Sequence, residues 1–394
     1  MAIKNYFSFT FLSSFNWNNP RVRSFIYQFI SLIGFSYFLW FLISNTLNNL
    51  SDRNISTGFG FMNREAGFLI SDMIIRYTPD DTYRRALLVG LTNTLRIAII
   101  GIILSTFLGI LLGISRLSKN WLLSKISYIY IEIVRNIPLL LQIFFWYALI
   151  TENMPNPKEA INPLPGMFIS NRGIRIPSLN GKLVDFVLEI LIFNLFLIII
   201  SHCWNKQHFK FFIKKKFPIL YILILSTIFH IAIYFNNDLS FYIDFPVINR
   251  FDFHGGIELS SEFIALLISL VIYSSAFIAE VVRSGIQAIN QGQWEAAHSL
   301  GLSKIQILRL IIFPQSLRVI IPPMISQFLN LTKNSSLAVA IGYPDIVSIS
   351  NTIINQTGQA IEGILIIVSA YLTISLSISI FMNLYNKHVF VAER

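Results

Sequence analysis

Eight separate stretches of this chain each reach roughly the 20 predominantly apolar residues needed to cross a bilayer. They lie at about 24–43, 87–113, 128–150, 183–201, 218–235, 262–282, 316–336 and 361–384. Lipid offers no partner for a backbone N–H or C=O, so an open chain crosses it as helix. The composition agrees: of 394 residues, 54% are hydrophobic and only 13% charged. A soluble domain carries nearer a quarter charged residues. The fold class expected is an all-α polytopic membrane protein with about eight transmembrane helices. Arg21 and Arg23 precede the first stretch and no small-residue cleavage site follows it, so a retained first helix is expected. The seventh stretch contains Pro322, Pro323, Lys333 and Asn334, and is expected to kink or to be lined partly by protein.

Lys and Arg are retained on the cytoplasmic side of such helices. With the N-terminus inside, the inner segments 1–23, 114–127, 202–217, 283–315 and 385–394 hold 16 basic and two acidic residues. The outer segments 44–86, 151–182, 236–261 and 337–360 hold ten basic and 12 acidic residues. The net charge of +10 is thus read as a topological signal, with both termini cytoplasmic. Nucleic-acid binding would need one contiguous basic face, and none is expected. The cluster from Lys206 to Lys216 reads as an inner-face anchor near anionic lipid.

Catalytic patterns are missing. Gly181-Lys182 is followed by Leu183, so no phosphate-cradling loop forms there, and there is no H-E-x-x-H or G-x-S-x-G pattern. His202, Cys203 and His208 have no acidic neighbour and make a poor metal site. Cys203 is the single cysteine, which excludes an internal disulfide. The chain is therefore not expected to be an enzyme, nor to bind a metal.

In the second stretch Gly101, Ser105, Gly109 and Gly113 recur every four residues. On a helix they form one small-residue stripe, suited to close packing within the subunit or along a pore or subunit interface. Charges inside spans are costly and suggest function. Arg96 lies about nine residues, roughly 14 Å, into the second stretch. It can pair with an acid or meet a carboxylate on a substrate. Lys333 and Asn334 are similar candidates for a pore. Glu132 and Arg135, three apart, are spaced to pair on one helix face.

One inner loop is unusual. Residues 293–314 read QWEAAHSLGLSKIQILRLIIFP. Trp294 to Leu300 favour helix, and Gly301 can end it in a left-handed turn. Ser303 offers an N-cap to a second helix from Lys304 to Ile312, and Pro314 is expected to stop that one. Two short helices at an angle result, with small Ala296 and Ala297 exposed for docking and Glu295 near the helix start.

This loop resembles the EAA loop of ABC-importer permeases. Glu295-Ala296-Ala297, then Gly301, Ile312 and Pro314 follow that signature, with Phe313 in place of the usual Leu. AFIAEVVRSGIQAINQGQWEAA at 276–297 and PQSLRVIIPPMISQFLNLTKNSSLAVAIGYPDI at 314–346 are similar to the polar amino-acid uptake branch (histidine, glutamine, general L-amino acids). So are GLTNTLRIAIIGI at 90–102 and YIEIVRNIPLLLQ at 130–142.

The resemblance implies a type I importer permease core of five helices: 87–113, 128–150, 262–282, 316–336 and 361–384. Around it, 1–23 would be a cytoplasmic tail and 24–86 an extra helix with an outer loop. Residues 87–150 and 259–390 would form the two parts of the core, with the coupling loop at 283–315. Residues 151–258 would be an insertion with two further helices. A permease this long resembles that of the general L-amino-acid importers, in which a longer and a shorter permease pair. It further implies a separate cytoplasmic ATPase carrying ATP and Mg, docked through Glu295, Ala296, Ala297 and Gly301. A periplasmic binding protein would deliver L-amino acids, and the site would be the bacterial inner membrane. The alternative reading is a non-transporting scaffold or sensor that uses the same loop to bind a partner.

Overall fold

The computed structural model describes residues 20–52, 57–179, 226–227, 243–249 and 252–391. The fourth and fifth apolar stretches, the Lys206–Lys216 cluster, Cys203 and its flanking histidines lie outside the described residues.

The described chain is mostly helical. Helix α1 spans Pro20–Asp52, α2 Tyr83–Arg116, α3 Trp121–Asn136 and α4 Leu139–Asn153. After the insertion come α5 at Ser261–Gln287, α6 at Gln291–Ser299 and α7 at Lys304–Ile307. Then follow α8 at Phe313–Asn334, α9 at Ile346–Thr357 and α10 at Ala360–Val391. Among the described residues, five helical runs are long and apolar enough to cross a membrane, or six if the α3–α4 pair is one span.

That pair corrects the third expected span. Residues 128–150 do not form one continuous helix; α3 and α4 meet at 103°. Pro138 has no N–H to give and holds Ile137 extended, at φ −98° and ψ 125°. The break strands carbonyls, and Gln142 repairs them. Its buried Nε2 donates to Val134 O and Ile137 O, both at 3.1 Å.

The eighth helix is a correction of the opposite kind. Pro314 does not stop the helix that begins at Lys304. Residues 308–312 form a π-turn in which the Phe313 N–H reaches back to Leu308 O. The wider turn makes room for a residue without a donor, and helix continues as α8 through Pro322 and Pro323.

The described part is not wholly α-helical either. Strands β1 (Ile161–Leu164), β2 (Met167–Ser170), β3 (Gly173–Ile176) and β8 (Ile257–Ser260) form one antiparallel sheet in the order β1-β2-β3-β8. β3 and β8 pair Gly173 with Ser260 and Arg175 with Glu258, so the two ends of the insertion return to one place. Shorter pairs are β4 (Ser178–Leu179) with β5 (Ile243–Asp244), and β6 (Val247–Asn249) with β7 (Asp252–His254). Short alternating runs between turns gave no helical periodicity, and polar backbone beyond the spans is free to pair as sheet.

The centre is α5. Its Phe263, Leu266 and Leu270 pack with Ile97 of α2, Ile143 of α4 and Tyr343 beyond α8. Tyr130 of α3 reaches it too, with its hydroxyl 3.1 Å from Ile272 O and 3.0 Å from Ser275 Oγ. Among the described residues most side chains of helix α1 are exposed, Trp40 among them.

The small-residue stripe of α2 lies buried against this chain's own helices. A Cβ on Gly109 would sit 2.5 Å from Ile278 Cγ2, and one on Gly113 2.8 Å from Ala279 O. On Gly101 it would meet only the flexible end of Leu331, at 3.3 Å. Ser105 between them is fully buried. Gly109→Ala and Gly113→Ala are each expected to lower stability by about 1–3 kcal/mol, read as the unfolding midpoint in detergent. Gly101→Ala should change it by less than about 1 kcal/mol. Equal effects at all three positions would contradict this account of the seam.

Candidate functional site

Two regions gather the residues singled out by sequence. One is the loop between α5 and α8. The other is the opposite end of α2, around Arg96.

In the loop, α6 opens on Asn290, whose side chain accepts the Gly292 N–H at 2.8 Å. It closes at Gly301, which adopts φ +69° while its N–H donates to His298 O at 2.9 Å. That left-handed turn is inexpensive only for glycine. Ser303 and Gln306 then form a reciprocal cap. The Gln306 N–H faces Ser303 Oγ, and the Ser303 N–H donates to Gln306 Oε1 at 2.9 Å.

Ala296 is exposed, as expected, but Ala297 is not. At 1% exposure it packs with Ile307 and Ile312, so the expected exposure is corrected to burial inside the hairpin. Half-buried Trp294, one turn earlier, lies on the same inner face. What the loop offers outward is Glu295, Ala296, His298 and two large apolar side chains, Leu300 and Ile305, each about three-quarters exposed. Gln315 of α8 donates to Gln293 Oε1 at 3.2 Å, tying the two short helices to the long one. An open cleft of about 1310 Å³ runs between this hairpin and the ends of α2 and α5, with Trp294, Glu295, Ile305 and Arg309 on its walls.

At the other end, Arg96 has a partner that sequence did not identify. Its Nη1 lies 3.0 Å from Asp72 Oδ1, and its guanidinium sits 4.1 Å above the Phe263 ring. Asp72 Oδ2 accepts from Ser260 Oγ at 2.9 Å. Asn93 Nδ2 bridges Asp72 O and Pro344 O at 2.8 and 2.9 Å. The outer loop, α2, the start of α5 and the turn after α8 are thus fastened together. Lys333 is exposed and Asn334 half-buried at the end of α8, and no hydrogen bond or ion pair joins either to Arg96. Glu132 and Arg135 do not form the expected ion pair; Arg135 instead lies 5.3 Å from the Phe277 ring centroid. Among the described residues no group of His, Cys, Asp and Glu is placed to hold a metal ion.

Residues 105–391 match the family described as the binding-protein-dependent transport system inner membrane component. The chain belongs to that family. It is 45% identical over 390 residues to the putative amino-acid ABC transporter permease protein YhdX of Escherichia coli, covering 98% of each chain. It is 40% identical over 379 residues to the general L-amino acid transport system permease protein AapQ of Rhizobium johnstonii, covering 95% of this chain and 94% of the relative. It is also 40% identical over 414 residues to the glutamate/glutamine/aspartate/asparagine transport system permease protein BztB of Rhodobacter capsulatus, covering 95% and 96%. The resemblance read from the loop is thereby established: the chain is a multi-pass inner-membrane permease subunit, and not itself an enzyme.

Sequence reasoning also missed Asp345 of the permease, a fully buried carboxylate between α8 and α9. It caps α9 by accepting the Ser348 N–H at 2.8 Å and receives the Tyr371 hydroxyl at 3.3 Å. The Ile346 N–H donates to Thr94 Oγ1 of α2 at 3.1 Å. Asp at a helix start was a readable cap; its burial under α2 and α10 was not.

Burial pushes the Asp345 carboxyl up to about 7, against amide and Tyr371 hydrogen bonds that pull it down. The folded chain therefore keeps a proton that the unfolded chain releases near 3.8. This contribution to stability is fullest below that value and falls as pH rises towards 7. Asp345→Asn keeps a capping oxygen and loses the titration. The unfolding midpoint of the wild type is expected to fall between about pH 5 and about pH 7, relative to the variant, and then level off. Parallel curves would refute a protonated Asp345.

Proposed function

We propose that this permease is the transmembrane subunit of an ATP-driven importer of L-amino acids. The observation that carries the reading is the α6–Gly301–α7 hairpin. It is a braced wedge with an apolar inner face and an outward face of charged, small and large apolar side chains. Its place between α5 and α8 lets movement of the wedge reach two central helices directly. The relatives named above are amino-acid permeases of the same length, which supports the substrate class.

In this reading Glu295, Ala296 and Gly301 form the coupling surface for a separate cytoplasmic ATPase, which carries ATP and Mg. Ala297 and Pro314 shape the hairpin from within. A second permease subunit pairs with this one, and a periplasmic binding protein delivers the amino acid. The hairpin end and both termini are cytoplasmic, as the charge asymmetry suggests. The strands at 161–260 then face the periplasm. The segments 1–23, 24–86, 87–150, 151–258 and 259–390 serve as tail, extra helix with loop, first core part, insertion and second core part. Arg96, Lys333 and Asn334 are the pore candidates, and Arg96 also fastens the outer end through Asp72. ATP shifts the permease between its conformations only if each one binds the ATPase with different affinity.

Gly301→Leu forces a side chain into the left-handed region at a cost of about 1–2 kcal/mol. In vesicles holding the ATPase and binding protein, it should reduce amino-acid uptake at least about tenfold, the effect of about 1.4 kcal/mol on the coupling equilibrium. Membrane insertion should be retained. Wild-type uptake with intact ATPase docking would remove Gly301 from the coupling role.

Orientation has its own test. In a Cys203→Ser background, Leu300→Cys should react with a membrane-impermeant maleimide in inside-out vesicles and not in intact cells. Bound ATPase should protect it. Labelling from outside would reverse the topology.

A further inference from the structure

Where α2 and α5 end beside α3, cations outnumber carboxylates. Arg116, the last residue of α2, forms an ion pair with Glu280 of α5. Arg283, one turn on, holds the other oxygen of Glu280 through Nε at 3.0 Å and Nη2 at 2.8 Å. Two guanidiniums thus share one carboxylate. Lys125 of α3 adds a third cation, its ammonium 5.3 Å from the Tyr128 ring centroid, and Arg116 stacks on that ring at 4.9 Å. Lys125 makes no ion pair among the described residues. Glu132 lies near Arg116, but so does Arg135, and the pair leaves the balance unchanged.

Arg116, Lys125 and Arg283 line one cleft of about 270 Å³, with Trp121 and Tyr128 at its side. Trp121 is 74% exposed. The first turns of α3 line the cleft as well, so the positive end of that helix adds to the field. The cleft sits where two spans stop. Exposed Trp and Tyr rings at that level favour the boundary between headgroups and acyl chains. A clamp that merely joined α2 to α5 would be complete with Arg116, Glu280 and Arg283. It would need neither an unpaired lysine nor an exposed tryptophan.

We propose that this cleft binds a phosphate ester anion, the headgroup phosphate of an anionic phospholipid. Lys125 and the N–H groups of Arg116 not taken by Glu280 bond its oxygens, while Arg283, held by Glu280 and by Gln287, adds charge beside them; a planar guanidinium suits phosphate and an ammonium completes the charge. Trp121 and Tyr128 flank the glycerol and the first acyl carbons. Basic pockets between spans hold lipid headgroups in this manner.

The test uses the full-length permease in detergent and native mass spectrometry. Phosphatidylglycerol is titrated against zwitterionic phosphatidylcholine. The wild type should retain phosphatidylglycerol in preference, and Lys125→Gln should weaken that retention about fivefold, the worth of one basic residue near a lipid surface. Lys125→Arg should restore it, and Arg84→Gln at the far end of α2 should leave it unchanged. Equal retention by wild type and Lys125→Gln would overturn the site. Displacement of the lipid by millimolar inorganic phosphate would overturn the lipid and leave a free-anion site.

Discussion

The closeness of α2 to α5 is the contact on which the other helices depend. In lipid there is little hydrophobic drive between apolar helices, so association rests on how near two backbones come. Gly109 and Gly113 let Ile278, Ala279 and Val282 of α5 approach to distances at which a methyl group would clash. With α5 fixed there, its other faces are presented to α3, α4 and α8. The chain then passes from α5 to α6 through only three residues, 288–290. A displacement of α6 therefore has almost no slack in which to be lost.

The two ends of the bundle are built differently. Around Arg96 the polar groups are interlocked. Asp72 serves Arg96, Ser260 and, through its carbonyl, Asn93. Asp345 serves Ser348 and Tyr371. Inside a low-dielectric bundle such bonds strengthen one another, and losing one partner strands the rest. At the other end Arg116 and Arg283 clamp α2 and α5 through Glu280, and the hairpin beyond that clamp is held by a small cluster, Ala297, Ile307 and Ile312, and by the bond from Gln315 to Gln293. Its link to α8 is the π-turn, a feature frequent at functional sites. The bundle is thus fastened at both ends, and the short helices beyond the Glu280 clamp are the part that can shift with modest loss of contact. The proposed coupling through the hairpin requires such a movable part.

The legible parts of the sequence were the local ones. Apolar length found α1, α2, α5, α8 and α10, because bilayer thickness sets a fixed demand. Gly301 and Ser303 were readable because turn and cap chemistry act over three or four residues. The small-residue stripe showed which face of α2 packs but not against what. Pro138 carried the signal for the α3–α4 break and was outweighed by the apolar run around it. Pro314 misled in the other direction, since the compensation, a π-turn, leaves no mark in composition. The Asp72–Arg96 pair and the burial of Asp345 join residues brought together only by the fold, and no spacing rule reaches them.

The two alanines of the loop illustrate what a signature conceals. Adjacent small residues look like one docking feature. On a helix they point about 100° apart, given 3.6 residues per turn. Ala297 turns inward under Ile307 and Ile312, where a larger side chain would push the second short helix away. Ala296 turns outward beside Glu295. The size limit at 297 is therefore set by this chain's own hairpin, while any limit at 296 must come from what docks there. A substitution at 297 acts on folding of the hairpin before it acts on coupling. Position 296 and the exposed Leu300 carry no such internal limit, and under the proposed function they are where contact with the ATPase would be read.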